Sequence, residues 1–255
     1  MTNSFSENGG PHVNGPSDDA AEPFRETIEA LSNACADLAM PAGGQIAFAP
    51  IRPDWERHTS DILPSCLGHA APKRKQEFVA GRLAALAALR GAGLADPAVP
   101  AIGADRLPVW PEGWRGSISH GTEIAVAVVV PDKGGRQILG LDLEPVMPRD
   151  LAQQLAASLM PEARAGGQGM PAEIEITRVF SAKETLFKAL YPQVRAIKEF
   201  SAARAIWNGD ALSLALTEPW AEALPEGLVF AIEQRVAAGV VVSLLSGIAP
   251  DAPST

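Results

Sequence analysis

The sequence predicts an α+β protein made of two halves of comparable size, and three observations carry that prediction. Each half mixes helical periodicity with strand-like apolar runs instead of alternating them regularly. A turn-rich segment, PDKGGRQ at 131–137, separates two such runs and marks a seam. No short-period repeat is present, only a coarse likeness between the halves.

The elements follow in order. Residues 1–22 are polar and rich in Gly, Pro, Ser and Asn, and a similar tail follows Pro250; both are expected to be disordered. This leaves 23–135 and 136–249 as the two subdomains, with 250–255 as the second tail. In the first, Phe78, Leu83, Leu86 and Leu89 recur at helical spacing, predicting a helix over Pro72–Arg90 that the GAG at 91–93 stops. A Pro/Trp-rich loop from Arg106 to Arg115 precedes GSISHG (116–121), which reads as a further loop, and then the strand IAVAVVV at 124–130.

The second half opens with the strand ILGLDLE (138–144), a helix near Leu151–Leu159 and a Gly-rich loop at 165–169. FSAKETLFKALYP (180–192) predicts a short helix over 181–191. Strand-like runs around Ala205, Leu212–Leu216, Leu228–Ile232 and Val240–Leu245 end the chain. WNGD at 207–210 predicts a hairpin in which Asn-Gly supplies the positive φ angles of a type I′ turn.

Composition narrows the function classes. The chain has 255 residues, 47% of them hydrophobic, and its mean hydropathy lies near zero, as in a globular rather than a disordered protein. Cys35 and Cys66 are too few for a disulfide framework, and Met1–Ala20 lacks the basic and apolar regions of a signal peptide. No apolar run approaches the ~18 residues of a membrane span. A monomeric cytoplasmic protein is the expectation. The net charge of −9 argues against nucleic acid, yet Lys73, Arg74, Lys75, Arg82 and Arg90 fall in one predicted helix. That patch suits a small anionic ligand, or is simply a solvated helix face.

Three stretches could carry chemistry. In LGLDLEP, strand alternation puts Leu139, Leu141 and Leu143 on one face and Gly140, Asp142 and Glu144 on the other. The two carboxylates then stand roughly 7 Å apart, an oxygen donor pair suited to Mg²⁺ or a merely solvated polar edge. In GSISHG, Ser117, Ser119 and His120 offer donors on a stretch whose glycines permit close approach to a phosphate; taken alone, it reads better as a surface turn with a solvated histidine. In FSAKETLFKALYP, Ser181–Glu184 matches an S-x-x-E capping box, whose Ser cap is worth about 0.5–2 kcal/mol. Glu184 and Lys188 would add an i,i+4 pair of about 0.2–0.5 kcal/mol. A Glu184 folded back onto its helix cannot also face Asp142, so the expectation is that Ser181 caps alone, Glu184 points to the cleft and Lys188 follows one turn on.

Taken together and in order, PKRKQEFVAGR (72–82), RLPVWPEGWRGSISH (106–120) with GLDLEP (140–145), and FSAKETLFKALYP (180–192) resemble the 4′-phosphopantetheinyl transferases, of the enterobactin-synthetase and surfactin-synthetase type. The resemblance covers roughly residues 45–245. It implies a pseudo-dimer of two similar α/β halves with coenzyme A between them. The implied reaction is Mg²⁺-dependent transfer of the phosphopantetheine arm to a serine of an apo carrier protein, releasing adenosine 3′,5′-bisphosphate. Siderophore or other nonribosomal peptide synthesis is the implied setting. By the same resemblance Asp142, Glu144 and Glu184 would hold the metal, Glu184 would also be the general base, and Lys188 would contact the coenzyme A phosphates. Arg74, Arg82, Ser119 and His120 would bind the nucleotide and its 3′-phosphate, with Arg106 beside them and Lys183 a helix-surface charge. The chain departs from the pattern after Pro192, where VRAIKEF is more basic than expected, which bears on the carrier surface. A coenzyme A hydrolase or acyltransferase and a non-catalytic coenzyme A-binding protein are the competing classes.

Overall fold

A computed structural model of the chain describes residues 22–53, 55, 62–132, 134–159 and 169–250. The tails expected at 1–22 and 250–255 and the loop at 165–169 lie outside these residues, apart from Glu22, Gly169 and Pro250. Helix α1 (Glu22–Cys35) leads into strand β1 (Gln45–Pro50), and α2 (Pro72–Gly91) follows. Next come a two-stranded ribbon of β2 (Ala101–Ile102) and β3 (Pro108–Val109), then β4 (Trp114–His120), β5 (Ile124–Pro131) and β6 (Gln137–Pro145). The remainder is α3 (Arg149–Leu159), α4 (Ala172–Val194), β7 (Ala203–Asn208), β8 (Ala211–Leu216), β9 (Val229–Ala237) and β10 (Val240–Ile248). No helix among the described residues is long and apolar enough to cross a membrane.

Two antiparallel sheets organise these elements: β1-β5-β4, and β6-β10-β9-β8-β7. Strand β5 shows how a period of two joins them. Ile124, Val126, Val128 and Val130 enter a core shared with Leu139, Leu141 and Leu143 of β6, and Leu31 and Cys35 of α1 close it. Ala125, Ala127 and Val129 point the other way, toward Ala80, Ala84, Ala85 and Ala88 of α2. Small side chains on both surfaces let that helix lie close to the sheet. A separate, larger core joins Ile176, Val179, Leu186 and Leu190 of α4 to Leu159 of α3 and to Leu212, Leu214 and Phe230 of the second sheet.

Four sequence expectations change. GSISHG is not a loop: Gly116–His120 belongs to β4, whose register pairs Ser117 with Val128 and Ser119 with Val126. Alternating Ser-Ile-Ser-His meets the strand period once β5 offers a partner. Helix α4 starts nine residues earlier than expected, at Ala172, because Ile176 and Val179 continue the buried stripe of Ala182, Leu186 and Ala189. Glu173 and Glu175 in its first turn complement the helix dipole. Pro192 lies inside the helix instead of stopping it; the stop is Arg195, at φ 54° in the left-handed region. The 207–210 hairpin turns on Gly209-Asp210, with Asn208 still paired to Ala211. Positive φ falls on Gly209 alone, the type II′ pattern and not I′. Helix α1 and β1 had no counterpart in the sequence reading.

Candidate active site

Ser181 shows first how the helix that carries the site is held. It is fully buried in the middle of α4 and donates to Ser243 Oγ of β10 at 2.8 Å, so it caps nothing. Thr185, one turn on, donates to the Ser243 carbonyl at 3.2 Å, and Gln234 Nε2 reaches Ser243 Oγ at 2.8 Å. Gly140 of β6 lies under the same turn. A Cβ there would fall 2.0 Å from the Thr185 carbonyl oxygen and 2.8 Å from the Ala189 nitrogen, so only glycine lets α4 press this closely onto β6. The consequence is functional: Glu184 and Lys188 come to the same side of β6 as Asp142 and Glu144.

The four residues line a cavity of about 810 Å³ between the two halves, within the usual range for a ligand site. Lys188 Nζ donates to Asp142 Oδ1 at 2.6 Å and to Ser119 Oγ at 2.9 Å; Ser119 Oγ donates to the same Asp142 oxygen at 2.9 Å. Asp142 is 1% exposed, and its Oδ2 has no hydrogen-bond partner. Burial first, and then the charge of Asp142, push the Glu144 carboxyl up to about 7. Burial raises Glu184 as well; Lys188 opposes this and Asp142 adds to it. Among the described residues no three Asp, Glu, His or Cys side chains converge tightly enough to grip a metal ion. Asp142, Glu144 and Glu184 line one cavity instead of forming a closed cluster.

The opposite wall is cationic. Arg74, Arg82, Arg106 and His120 all line the cavity. Of the basic residues grouped on α2, Lys73, Lys75 and Arg90 do not, so the patch is not one face; a helix spreads consecutive charges around its axis. Gly81 lets α2 approach β4, since a Cβ there would sit 2.9 Å from Ile118 Cγ2. Arg82 beside it is 6% exposed, its guanidinium lies 4.4 Å from the Phe78 ring centroid, and its Nε has no partner. Burial, then the Arg74 charge, lower it to about 10. A largely buried guanidinium on a residue that lines a cavity is suited to an anion. Arg106 reaches the wall from a left-handed backbone conformation, φ 66°.

His120 is held below its usual range, chiefly by burial, with Glu77 opposing and Arg74 reinforcing the shift. Arg74 NH1 stands 3.2 Å from its Nε2, and Glu77 Oε2 stands 3.7 Å from the same nitrogen. The depressed pKa favours the neutral ring, with Nε2 accepting from Arg74, over an ion pair with Glu77. Glu77 and Phe78 also line the cavity, and Glu77 lies i+3 from Arg74, a contact that helical spacing predicts.

Ser117 and Lys183 differ from expectation. Ser117 faces the seam, not a ligand, and its Oγ accepts the Leu141 N–H at 3.0 Å. Its hydroxyl thus stands in for a ladder bond between the edge strands β4 and β6. Lys183 is no surface charge: it is 5% exposed and donates to the Phe200 carbonyl at 2.6 Å, and burial lowers it to about 8. It ties α4 to the turn that starts β7.

The chain is similar to known proteins along both halves. A family model described as the 4′-phosphopantetheinyl transferase N-terminal domain matches residues 64–130, and one described as the 4′-phosphopantetheinyl transferase superfamily matches 138–232. Enterobactin synthase component D of Salmonella typhi is 37% identical over 166 residues, which cover 64% of this chain and 68% of that protein. The protein of the same name from Escherichia coli K12 is 43% identical over 126 residues, 48% of this chain and 58% of that one. A 4′-phosphopantetheinyl transferase of Mycobacterium tuberculosis is 32% identical over 148 residues, 56% of this chain and 63% of that one. The chain thus spans little more than half the length of several relatives, but over two thirds of the first, and the cavity-lining residues fall within the two family-model matches. It belongs to the 4′-phosphopantetheinyl transferase superfamily of enzymes.

Proposed function

We propose that this protein transfers the 4′-phosphopantetheine arm of coenzyme A to a serine hydroxyl of an apo carrier protein, with a divalent cation, and releases adenosine 3′,5′-bisphosphate. The observation that supports it most is the division of charge in one cavity: Arg74, Arg82 and Arg106 on one wall, Asp142, Glu144 and Glu184 with Lys188 on the other. A polyanion with a nucleotide at one end and a reacting diphosphate at the other needs both. The basic wall suits the 3′-phosphate and the nucleotide, with neutral His120 donating or accepting beside it.

The acidic wall would repel a diphosphate unless a cation intervenes. The donors fit Mg²⁺: they are all oxygens, Asp142 Oδ2 is buried without a partner, and Glu144 is raised by burial and then by the charge of Asp142. Asp142, Glu144 and Glu184 would hold the ion, which when bound would neutralise charge building on the diphosphate oxygens. The rest falls to side chains. Lys188 presents its ammonium to the phosphate being transferred. Glu184, raised by burial toward useful basicity, takes the proton of the carrier serine as its oxygen bonds to phosphorus. The bond from that phosphorus to the bridging oxygen breaks, and the nucleotide leaves on the basic wall.

In this reading the two halves, 23–135 and 136–249, are the subdomains of a pseudo-dimer within one monomeric, cytoplasmic chain. Carriers of siderophore and nonribosomal peptide synthesis are the first substrates to try, given the relatives' names. The test is incubation with coenzyme A, Mg²⁺ and a panel of apo carrier domains. A mass gain of one phosphopantetheine on the carrier serine, absent without Mg²⁺, is the expected result. Hydrolysis of coenzyme A with no modified carrier would overturn the reading.

A further inference from the structure

Ser119, Asp142 and Lys188 form a closed hydrogen-bonded triangle. The ammonium of Lys188 touches Asp142 Oδ1 at 2.6 Å and Ser119 Oγ at 2.9 Å, and Ser119 Oγ meets Asp142 Oδ1 at 2.9 Å. We propose that Lys188 is the resident counter-ion of the acidic wall, latched there by Ser119, and that a divalent cation reaches Asp142 only by displacing it. This rests on the cation-dependent reading above.

Electrostatics makes the arrangement intelligible. An isolated buried carboxylate is costly, and Asp142 is 1% exposed with a second oxygen already lacking a partner. Glu144 and Glu184 line the same cavity, so without any cation the wall would carry adjoining negative charges in a poorly solvated place. Lys188 is the ammonium that answers them. Its side chain is 28% exposed and reaches the cavity from one turn beyond Glu184, so it has room to leave Asp142 for a phosphate. Lys188 holds Oδ1 while Oδ2 is buried beside it, so an ammonium and a dication on this one carboxylate would stand in mutual repulsion, and the stronger charge expels the weaker.

The triangle also reassigns Ser119. The resemblance implies a phosphate ligand, but this hydroxyl is on a residue 5% exposed, donates to Asp142 and accepts from Lys188. Its role is positioning: it gives the ammonium a second acceptor and so strengthens the latch that the dication must open.

The experiment is calorimetric titration of Mg²⁺ alone, at pH 8 and without nucleotide, into the wild-type protein, Lys188→Met and Ser119→Ala. Loss of the competing charge is expected to tighten Mg²⁺ binding about tenfold in Lys188→Met, and loss of the second acceptor about threefold in Ser119→Ala. Thermal unfolding in chelator should place Lys188→Met below wild type, with Mg²⁺ closing the gap. Titration of adenosine 3′,5′-bisphosphate without metal should give the same affinity for Ser119→Ala as for wild type; a tenfold loss would make Ser119 a phosphate ligand and overturn its positioning role. Equal or weaker Mg²⁺ binding by Lys188→Met overturns the latch while leaving the metal reading intact. Absence of Mg²⁺ binding by every protein, wild type included, overturns both. Should Lys188→Met fail to fold, Ser119→Ala carries the test alone, and unchanged or weaker Mg²⁺ affinity there overturns the latch.

Discussion

The two walls of the cavity are built by different means. The first half offers a helix seated on alanines, a three-stranded sheet, and a group of cavity-lining cations, among them a buried Arg82 whose Nε lacks a partner. The second half offers five strands, a larger core, and carboxylates whose charge is already answered by Lys188. One wall waits for an anion; the other carries its own provisional cation. The lesson is that a cavity for a polyanion need not be uniformly basic, provided the reacting end can exchange one positive partner for another.

The sharpest way to break this contrast is Glu184→Gln. The variant is expected to lose transfer by at least about 100-fold, read as mass gain on a carrier, because a general base is removed. Its thermal unfolding and its affinity for adenosine 3′,5′-bisphosphate should stay close to wild type.

The same substitution in each half then compares their tolerances. Gly140→Ala drives a Cβ into helix backbone and is expected to destabilise the protein by about 3 kcal/mol in urea unfolding. Gly81→Ala meets only the end of Ile118, which can rotate away, and about 1 kcal/mol is expected. Equal effects would mean that α4 is not seated more tightly than α2.

Arg82→Met sharpens the picture of the basic wall. It should weaken adenosine 3′,5′-bisphosphate binding about tenfold and leave stability unchanged or slightly higher, since it removes a buried cation with an unused donor. A large loss of stability would show that Arg82 is structural.

The acidic wall makes a prediction about pH. Glu144 is raised to about 7, so over the window from about 4.5 to 7 the native state binds its proton while the unfolded chain has released it. In the metal-free protein this group's contribution makes stability fall as pH rises through that window, and Glu144→Gln should flatten the slope. The smallest effect is expected at Arg195, which pairs with Asp105 across the two halves with both side chains well exposed. Arg195→Ala should leave the urea-unfolding midpoint within experimental error of wild type, because water screens an exposed pair.

How much of this was legible before folding depends on the range of the interaction. Strand β6 shows its two faces in sequence, because alternation of Leu139, Leu141 and Leu143 with Asp142 and Glu144 is a local property. Helix α2 shows its core in the spacing of Phe78, Leu86 and Leu89. The start of α4 is not legible: Ile174, Ile176 and Thr177 are weak helix formers, and the box at Ser181 imitates a helix start. Only β10 resolves it, since Ser243 takes the Ser181 hydroxyl that a cap would have used.

What the sequence determined by itself was the inventory: an α+β chain, a charged motif on a helix, a D-x-E strand and a basic helix, all fixed by composition and short spacing. What tertiary structure decided was which of those charges meet. Lys183 goes to a carbonyl, Lys188 to Asp142, Arg82 to the cavity and Arg90 to solvent, although the sequence presents them as equal cations. The physical reason is that a charge's role follows from its burial and from partners distant in the chain, 17 residues away for Lys183 and 46 for Lys188. No local pattern encodes those distances.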